Sequence, residues 1–241
     1  MAEPATIHSP RRYIDGAIPM LPHTSAPGSS RLRTSRRQTI ALVAGSLGAL
    51  FASPLAIAED PFVYGTGVDR KDILSLASPG TKYVATIFVA TDCPISNRYL
   101  PVLAKLSKQF APRDVRLWLV YPNPNDTLVA VRRHQSEYPD ARLLPQLIAP
   151  DPRFLAHAHV HVTPEAAIFR ADAVMSQPVL WHGRIDDRYL TFGTQRPAAT
   201  RHDLADALSS VLAGHHPAPA PAPPVGCAII PQTWHNPPTK S

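Results

Sequence analysis

Residues 83–121 alternate between two spacings of apolar positions. Tyr83-Val84-Ala85-Thr86-Ile87-Phe88-Val89-Ala90 is a nearly continuous β-branched and aromatic run, which predicts a central strand buried on both faces. Beyond it Tyr99, Val102, Leu103, Leu106 and Phe110 fall on one stripe, which predicts a helix from about Ser96 to Phe110. Val115 to Tyr121 reads as the next strand and Thr127 to Tyr138 as a second helix. Crossovers of this length join parallel strands. A weaker strand over Leu143 to Ala149 and a short helix over Pro152 to Ala158 follow. Glu165 to Arg170 and Val179 to Ile185 predict an antiparallel hairpin, with a polar connection at Ala171-Asp172. The last helix is predicted over Thr200 to Leu212, with Thr200 as its cap, Asp203 three residues on, and Leu204, Leu208 and Val211 as its apolar face. Gly214 ends it. Short strands alternating with helices specify an α/β fold, a sheet covered by helices.

The two ends read differently. Thr34 to Ala58 begins with Ser35-Arg36-Arg37-Gln38, runs through an apolar stretch from Ile40 to Ala52 and closes on Ala56-Ile57-Ala58, the pattern of an export signal cleaved after Ala58. The paired arginines are similar to a twin-arginine signal, although Thr39 stands where such signals carry Phe. The apolar run of roughly 13 residues is short of the ~20 a membrane span needs, so no stable span is expected after cleavage. The expected location is periplasmic or otherwise extracytoplasmic. At the other end, Pro217-Ala218-Pro219-Ala220-Pro221-Ala222-Pro223-Pro224 predicts an extended proline-rich spacer. The organisation expected is a lead-in and signal over 1–58, one domain over 59–214, a spacer over 215–224 and a tail over 225–241.

Composition adds little to this picture, and charge removes one possibility. The 241 residues, 44% of them apolar, suffice for one core. The net charge of +6 suggests a basic protein, but six arginines precede residue 59 against Glu3 and Asp15. The remainder carries 18 basic and 16 acidic residues, a net of only +2. A nucleic-acid partner therefore loses its electrostatic support.

Candidate chemistry lies with the two cysteines, Cys93 and Cys227. Cys93 sits just after the central strand and just before the first long helix, where unpaired backbone N–H groups and the positive end of the helix dipole favour thiolate. In an exported chain an isolated pair suggests a disulfide, or one reactive thiol with a helper. The order Asp92-Cys93-Pro94-Ile95-Ser96-Asn97-Arg98-Tyr99, then Val162-Thr163-Pro164-Glu165, then Gly183-Arg184-Ile185-Asp186-Asp187-Arg188, then Gly226-Cys227 resembles the redoxin proteins of the thioredoxin-like superfamily, related to the alkyl hydroperoxide reductase and thiol-specific antioxidant group. The resemblance spans most of residues 60–230. It implies a three-layer thioredoxin-like fold with a central mixed sheet flanked by helices. It also implies that Pro164 is cis after Thr163 and shapes a substrate groove beside Cys93; Pro94, Ser96, Thr163 and Pro164 are the candidate substrate-binding residues.

Two departures narrow the chemistry. Ser96 replaces the second cysteine of a Cys-x-x-Cys motif, so a dithiol cycle within the motif is excluded. Ala90 stands where peroxidases of this group carry Thr or Ser, which argues against peroxide reduction; Thr91 is the nearest substitute. Cys227, on a spacer able to reach ~25 Å, is the candidate second thiol. It forms a disulfide with Cys93 in one reading and stays free, or pairs with another chain, in the other. His157, His159 and His161 share a face if their segment is extended and are then candidate copper or zinc ligands; otherwise they are solvated or hydrogen-bonded. Arg184, Asp186, Asp187 and Arg188 read as a structural charge cluster at a strand end, and Tyr99, Trp118 and Trp181 as core or rim residues. Two functions remain open: a thiol-disulfide oxidoreductase that acts on protein thiols or disulfides and needs no cofactor, and a non-catalytic thioredoxin-like module that binds a protein partner or a metal.

Overall fold

The computed structural model describes residues 61–230. The predicted export signal and its lead-in, with residues 231–241 of the tail, lie outside the described residues. The elements, in chain order, are β1 (Gly65–Thr66), β2 (Asp72–Ile73), β3 (Tyr83–Phe88), α1 (Pro94–Phe110), β4 (Val115–Tyr121), α2 (Leu128–Glu137), β5 (Gln146–Ile148), α3 (Pro152–Ala158), β6 (Val162–Thr163), β7 (Glu165–Arg170), β8 (Trp181–Gly183), β9 (Tyr189–Thr191), β10 (Thr194–Gln195), α4 (Asp203–Leu212) and β11 (Cys227–Ala228).

The main sheet runs β2-β1-β5-β4-β3-β7-β8. β3, β4 and β5 are parallel, and β7 and β8 add antiparallel on the far side of β3. Alternation along the strands divides the core between the two faces. Ala85 and Ile87 of β3 join Leu117 and Leu119 of β4 under α1 and α4, where Leu103, Phe110, Leu204 and Leu208 are fully or nearly fully buried. Val84, Phe88, Trp118 and Val120 turn the other way, onto Phe154 and Ala158 of α3. This three-layer arrangement, a mixed sheet between helices, is thioredoxin-like.

Several elements depart from the sequence expectation, among them the second hairpin strand, which covers Trp181–Gly183 rather than Val179 to Ile185. Helix α1 begins at Pro94 rather than Ser96, because proline at the first helical position gives up an N–H that has no intrahelical partner anyway. The strand expected from Leu143 shortens to Gln146–Ile148, since Pro139–Leu143 winds into a 3-10 helix. Helix α4 starts at Asp203, not Thr200, and its cap residue His202 makes no side-chain cap bond. The Thr200 hydroxyl instead donates to Asp187 Oδ2 at 2.5 Å. That competing acceptor, thirteen residues away in sequence, withdraws the cap. Among the described residues no helix is long and apolar enough to cross a membrane.

Candidate functional site

Cys93 is the N-cap residue of α1, at the end of the loop that leaves β3, with extended backbone (φ −87°, ψ 111°) and Pro94 next. Its side chain is completely buried, at 0% exposure. It faces the turn between β6 and β7, where the Thr163–Pro164 peptide bond is cis. Cys93 Sγ lies 3.2 Å from the Thr163 carbonyl oxygen.

The C-terminal segment closes this site. β11 pairs antiparallel with β6, placing Cys227 opposite Thr163 and Ala228 opposite Val162. The Ile229 amide donates to the His161 carbonyl at 3.0 Å, and the Ile230 amide to Asn123 Oδ1 at 2.9 Å. Cys227 Sγ comes within 2.8 Å of Cys93 Sγ, with both thiols free. Upstream, the proline-rich segment crosses β8 rather than standing off as a spacer. Trp181 Nε1 donates to the Ala218 carbonyl at 3.0 Å.

Two glycines make this docking sterically feasible. A Cβ on Gly226 would sit 2.1 Å from the Thr163 carbonyl oxygen, and one on Gly183 would sit 2.6 Å from Ala220 Cβ. Gly183 also adopts φ +155°, where a side chain is strained. Both glycines stand in the motifs quoted above without a role assigned to them, and Asn123 is not among the residues singled out there. The signal was present as the glycine that opens each of two quoted motifs, but its meaning depends on which backbone passes above it.

The environment separates the two sulfurs. Burial pushes the Cys93 thiol up, but hydrogen bonding from the Cys227 S–H, together with the Ser96 hydroxyl and amide, outweighs it, and the Cys93 pKa lies below the ordinary thiol value. The buried Ser96 hydroxyl has no hydrogen bond of good geometry. Its contribution is that of a nearby dipole, and the Cys227 S–H is the firmer cause. Cys227 moves the opposite way, up to about 12, through burial, its bond to Cys93 and the charges of Cys93 and Asp92. When ionised, Cys93 accepts from Cys227; when protonated, it has the Thr163 carbonyl as its acceptor.

A polar seam supports the loop ahead of Cys93. Asp126 Oδ1 accepts from the Thr91 amide and hydroxyl at 2.8 and 2.7 Å. Asn97 Nδ2 donates to the Thr91 carbonyl at 3.3 Å, and Asn97 Oδ1 lies 2.8 Å from His134 Nε2. Tyr121 Oη is 3.2 Å from His134 Nδ1. Burial raises the Asp126 pKa and lowers that of His134. The Thr91 hydroxyl is thus committed to Asp126, which removes it as a substitute for the missing peroxidase Thr.

The three histidines do not share a face. His157 lies in the last turn of α3, stacks on Phe169 and lies 3.0 Å from the Gln177 carbonyl. His159 turns left-handed at φ 55°, so the extended alternation needed for a ligand set is not formed. Among the described residues no group of three or more His, Cys, Asp or Glu is placed to hold a metal. The charged cluster knits β8 to α4: Arg184 Nε meets Asp203 Oδ2 at 2.5 Å, Tyr99 donates to Asp186, and Asp187 accepts from Thr200 and Arg201. Tyr99, Trp118 and Trp181 are all buried.

Among solved structures the chain is similar to a hypothetical protein from Sinorhizobium meliloti 1021, at 18% identity and a TM-score of 0.53, over 72% of this chain and 92% of that one. An uncharacterized conserved protein from Geobacillus kaustophilus matches at 19% identity and 0.52, over 75% and 91%. A secreted Mycobacterium tuberculosis disulfide oxidoreductase homologous to E. coli DsbE aligns at 19% identity over 64% and 96%, with a TM-score of 0.40. The first two likenesses establish a shared fold, and the third is too distant to carry an argument. No protein-family model matches the chain, and no curated protein does.

Proposed function

We propose that this is an exported thiol-disulfide redox protein in which Cys93 and Cys227 form one dithiol-disulfide pair. The observation that carries the reading is the 2.8 Å approach of the two sulfurs at the N-terminus of α1. Their divided acidity supports it, because one thiol is readied as thiolate while its neighbour holds a proton. Cys227 thereby supplies the thiol that Ser96 does not, from the far end of the chain. The substrates are protein thiols or disulfides, and Pro94, Ser96, Thr163 and Pro164 shape the walls around Cys93. Peroxide reduction, the activity of the alkyl hydroperoxide reductase group, is outside this proposal, since Ala90 offers no hydroxyl and Thr91 is bound to Asp126. Export follows from the signal pattern before residue 59 and suits a protein whose chemistry needs an oxidising compartment.

The burial of Cys93 favours a second reading, a binding module in which Cys93 is inert. Intact mass with and without reductant separates the two. An oxidised form lighter by two hydrogens, abolished by Cys93→Ser and by Cys227→Ser, is expected of the redox pair. A protein that stays fully reduced under mild thiol oxidants supports the module.

A further inference from the structure

Resting on the pair just proposed, a second question is which sulfur meets the outside partner. In thiol-disulfide exchange the attacking thiolate, the attacked sulfur and the departing sulfur lie in line, and the departing sulfur leaves faster the more acidic its thiol. Cys93 is completely enclosed, under β11 on one side and within the α1 core on the other. Cys227 is partly exposed on the outer strand. Seen from solvent, Cys227 lies in front and Cys93 behind it.

We propose that Cys227, on the docked C-terminal strand, is the sulfur at which external thiols exchange with the pair, and that Cys93 is the internal partner. This reverses the roles expected from position alone, where the cysteine at the helix start meets the substrate. In the oxidised protein an external thiolate RS⁻ attacks Cys227 Sγ. The R–S–S–Cys227 bond forms, the Cys227–Cys93 bond breaks, and Cys93 leaves with the electron pair as a thiolate. A second thiolate then attacks the R sulfur, giving the external disulfide, and Cys227 leaves and takes a proton from solvent. Two external thiols are oxidised to one disulfide, and the protein disulfide is reduced by two electrons. Burial alone assigns the roles: Cys93 is enclosed, and Cys227 is the sulfur that a thiolate arriving from solvent reaches first. Throughout this exchange the tail stays paired with β6, and the groove beside Pro164 does not open. The partner chemistry this fits is a reducing thiol able to approach an exposed strand, not a peptide that must first displace it.

The test uses the full chain oxidised with diamide and then exposed to excess reduced glutathione, quenched with acid, alkylated with N-ethylmaleimide and mapped by peptide mass. The expected product carries glutathione on Cys227 and the alkyl group on Cys93, in at least tenfold excess over the reverse. Glutathione chiefly on Cys93 overturns the assignment while leaving the redox pair standing. Failure of diamide to form the intramolecular disulfide overturns the pair itself, and this inference with it.

Discussion

The segment that carries Cys93 and the segment that carries Cys227 are held by different physics. Cys93 caps α1 at the end of the loop from β3 and is completely buried as part of the main hydrophobic cluster, so its position is fixed by the core. Cys227 stands on a two-residue strand, fixed by a few backbone hydrogen bonds, an indole on Ala218 and two places where a glycine leaves room. A cleft of about 690 Å³, lined by His161, Glu165, Trp181, His182 and the prolines, remains beneath that segment. One cysteine belongs to a dense interior, the other to a strap with space under it. A redox pair built this way has one partner that cannot move without global unfolding and another that can move locally.

That contrast is open to attack from both sides. Leu103→Ala removes a fully buried side chain from beneath α1 and is expected to cost about 2–5 kcal/mol. Thermal unfolding reads the loss, with both cysteines becoming accessible together; an unchanged melting temperature contradicts a core that fixes Cys93. Gly226→Val places a side chain against the Thr163 carbonyl. Overpacking of this kind costs about 1–3 kcal/mol, which here lifts the tail rather than melting the core. N-ethylmaleimide labelling of Cys93 is expected to accelerate roughly 10- to 100-fold, with the circular dichroism of the fold retained. If Cys93 stays protected, the tail is not what encloses it.

Smaller effects sharpen the picture. Trp181→Phe deletes the bond to Ala218 and is expected to cost about 0.5–1.5 kcal/mol. Hydrogen exchange at the Ile229 and Ile230 amides is the sensitive readout, since the loss falls on the strap. The smallest change is electrostatic. Cys227→Ala removes the S–H that favours the Cys93 thiolate, while the burial opposing it persists. The inflection in Cys93 labelling against pH therefore moves to higher pH than in the parent chain. A shift to lower pH shows that Cys227 does not act as the donor.

How far these features were legible in the sequence follows the same division. β4 and α3 run from Val115 to Tyr121 and from Pro152 to Ala158, as the pattern of apolar residues predicts, because local periodicity and core burial agree there. The antiparallel pairing of β7 with β8 was readable too, although β8 covers only Trp181–Gly183 of the expected Val179 to Ile185. The start of α4 was not, since Thr200 has the chemistry of a cap and is taken by Asp187 through a contact no local window contains. The position of Cys93 at a strand-to-helix junction could be inferred from neighbours in sequence. The seat of Cys227 could not, because it depends on Gly183 and Gly226 meeting Ala220 and Thr163 across the fold. The proline-rich stretch looked like a spacer for a related reason: composition reports stiffness, whereas the Trp181 indole that holds it lies 37 residues away.

The sequence distance between the paired cysteines has a thermodynamic consequence. They are 134 residues apart, so a covalent bond between them encloses α1, every later strand of the main sheet and α4 within one loop. Closing a loop of that size reduces the freedom of the unfolded chain by about 5 kcal/mol in the chain-entropy account. The same linkage runs in reverse: whatever stabilises the native arrangement makes the bond harder to reduce. The electron-accepting strength of the pair is in this sense a property of the entire domain, and mutations far from either sulfur should alter it.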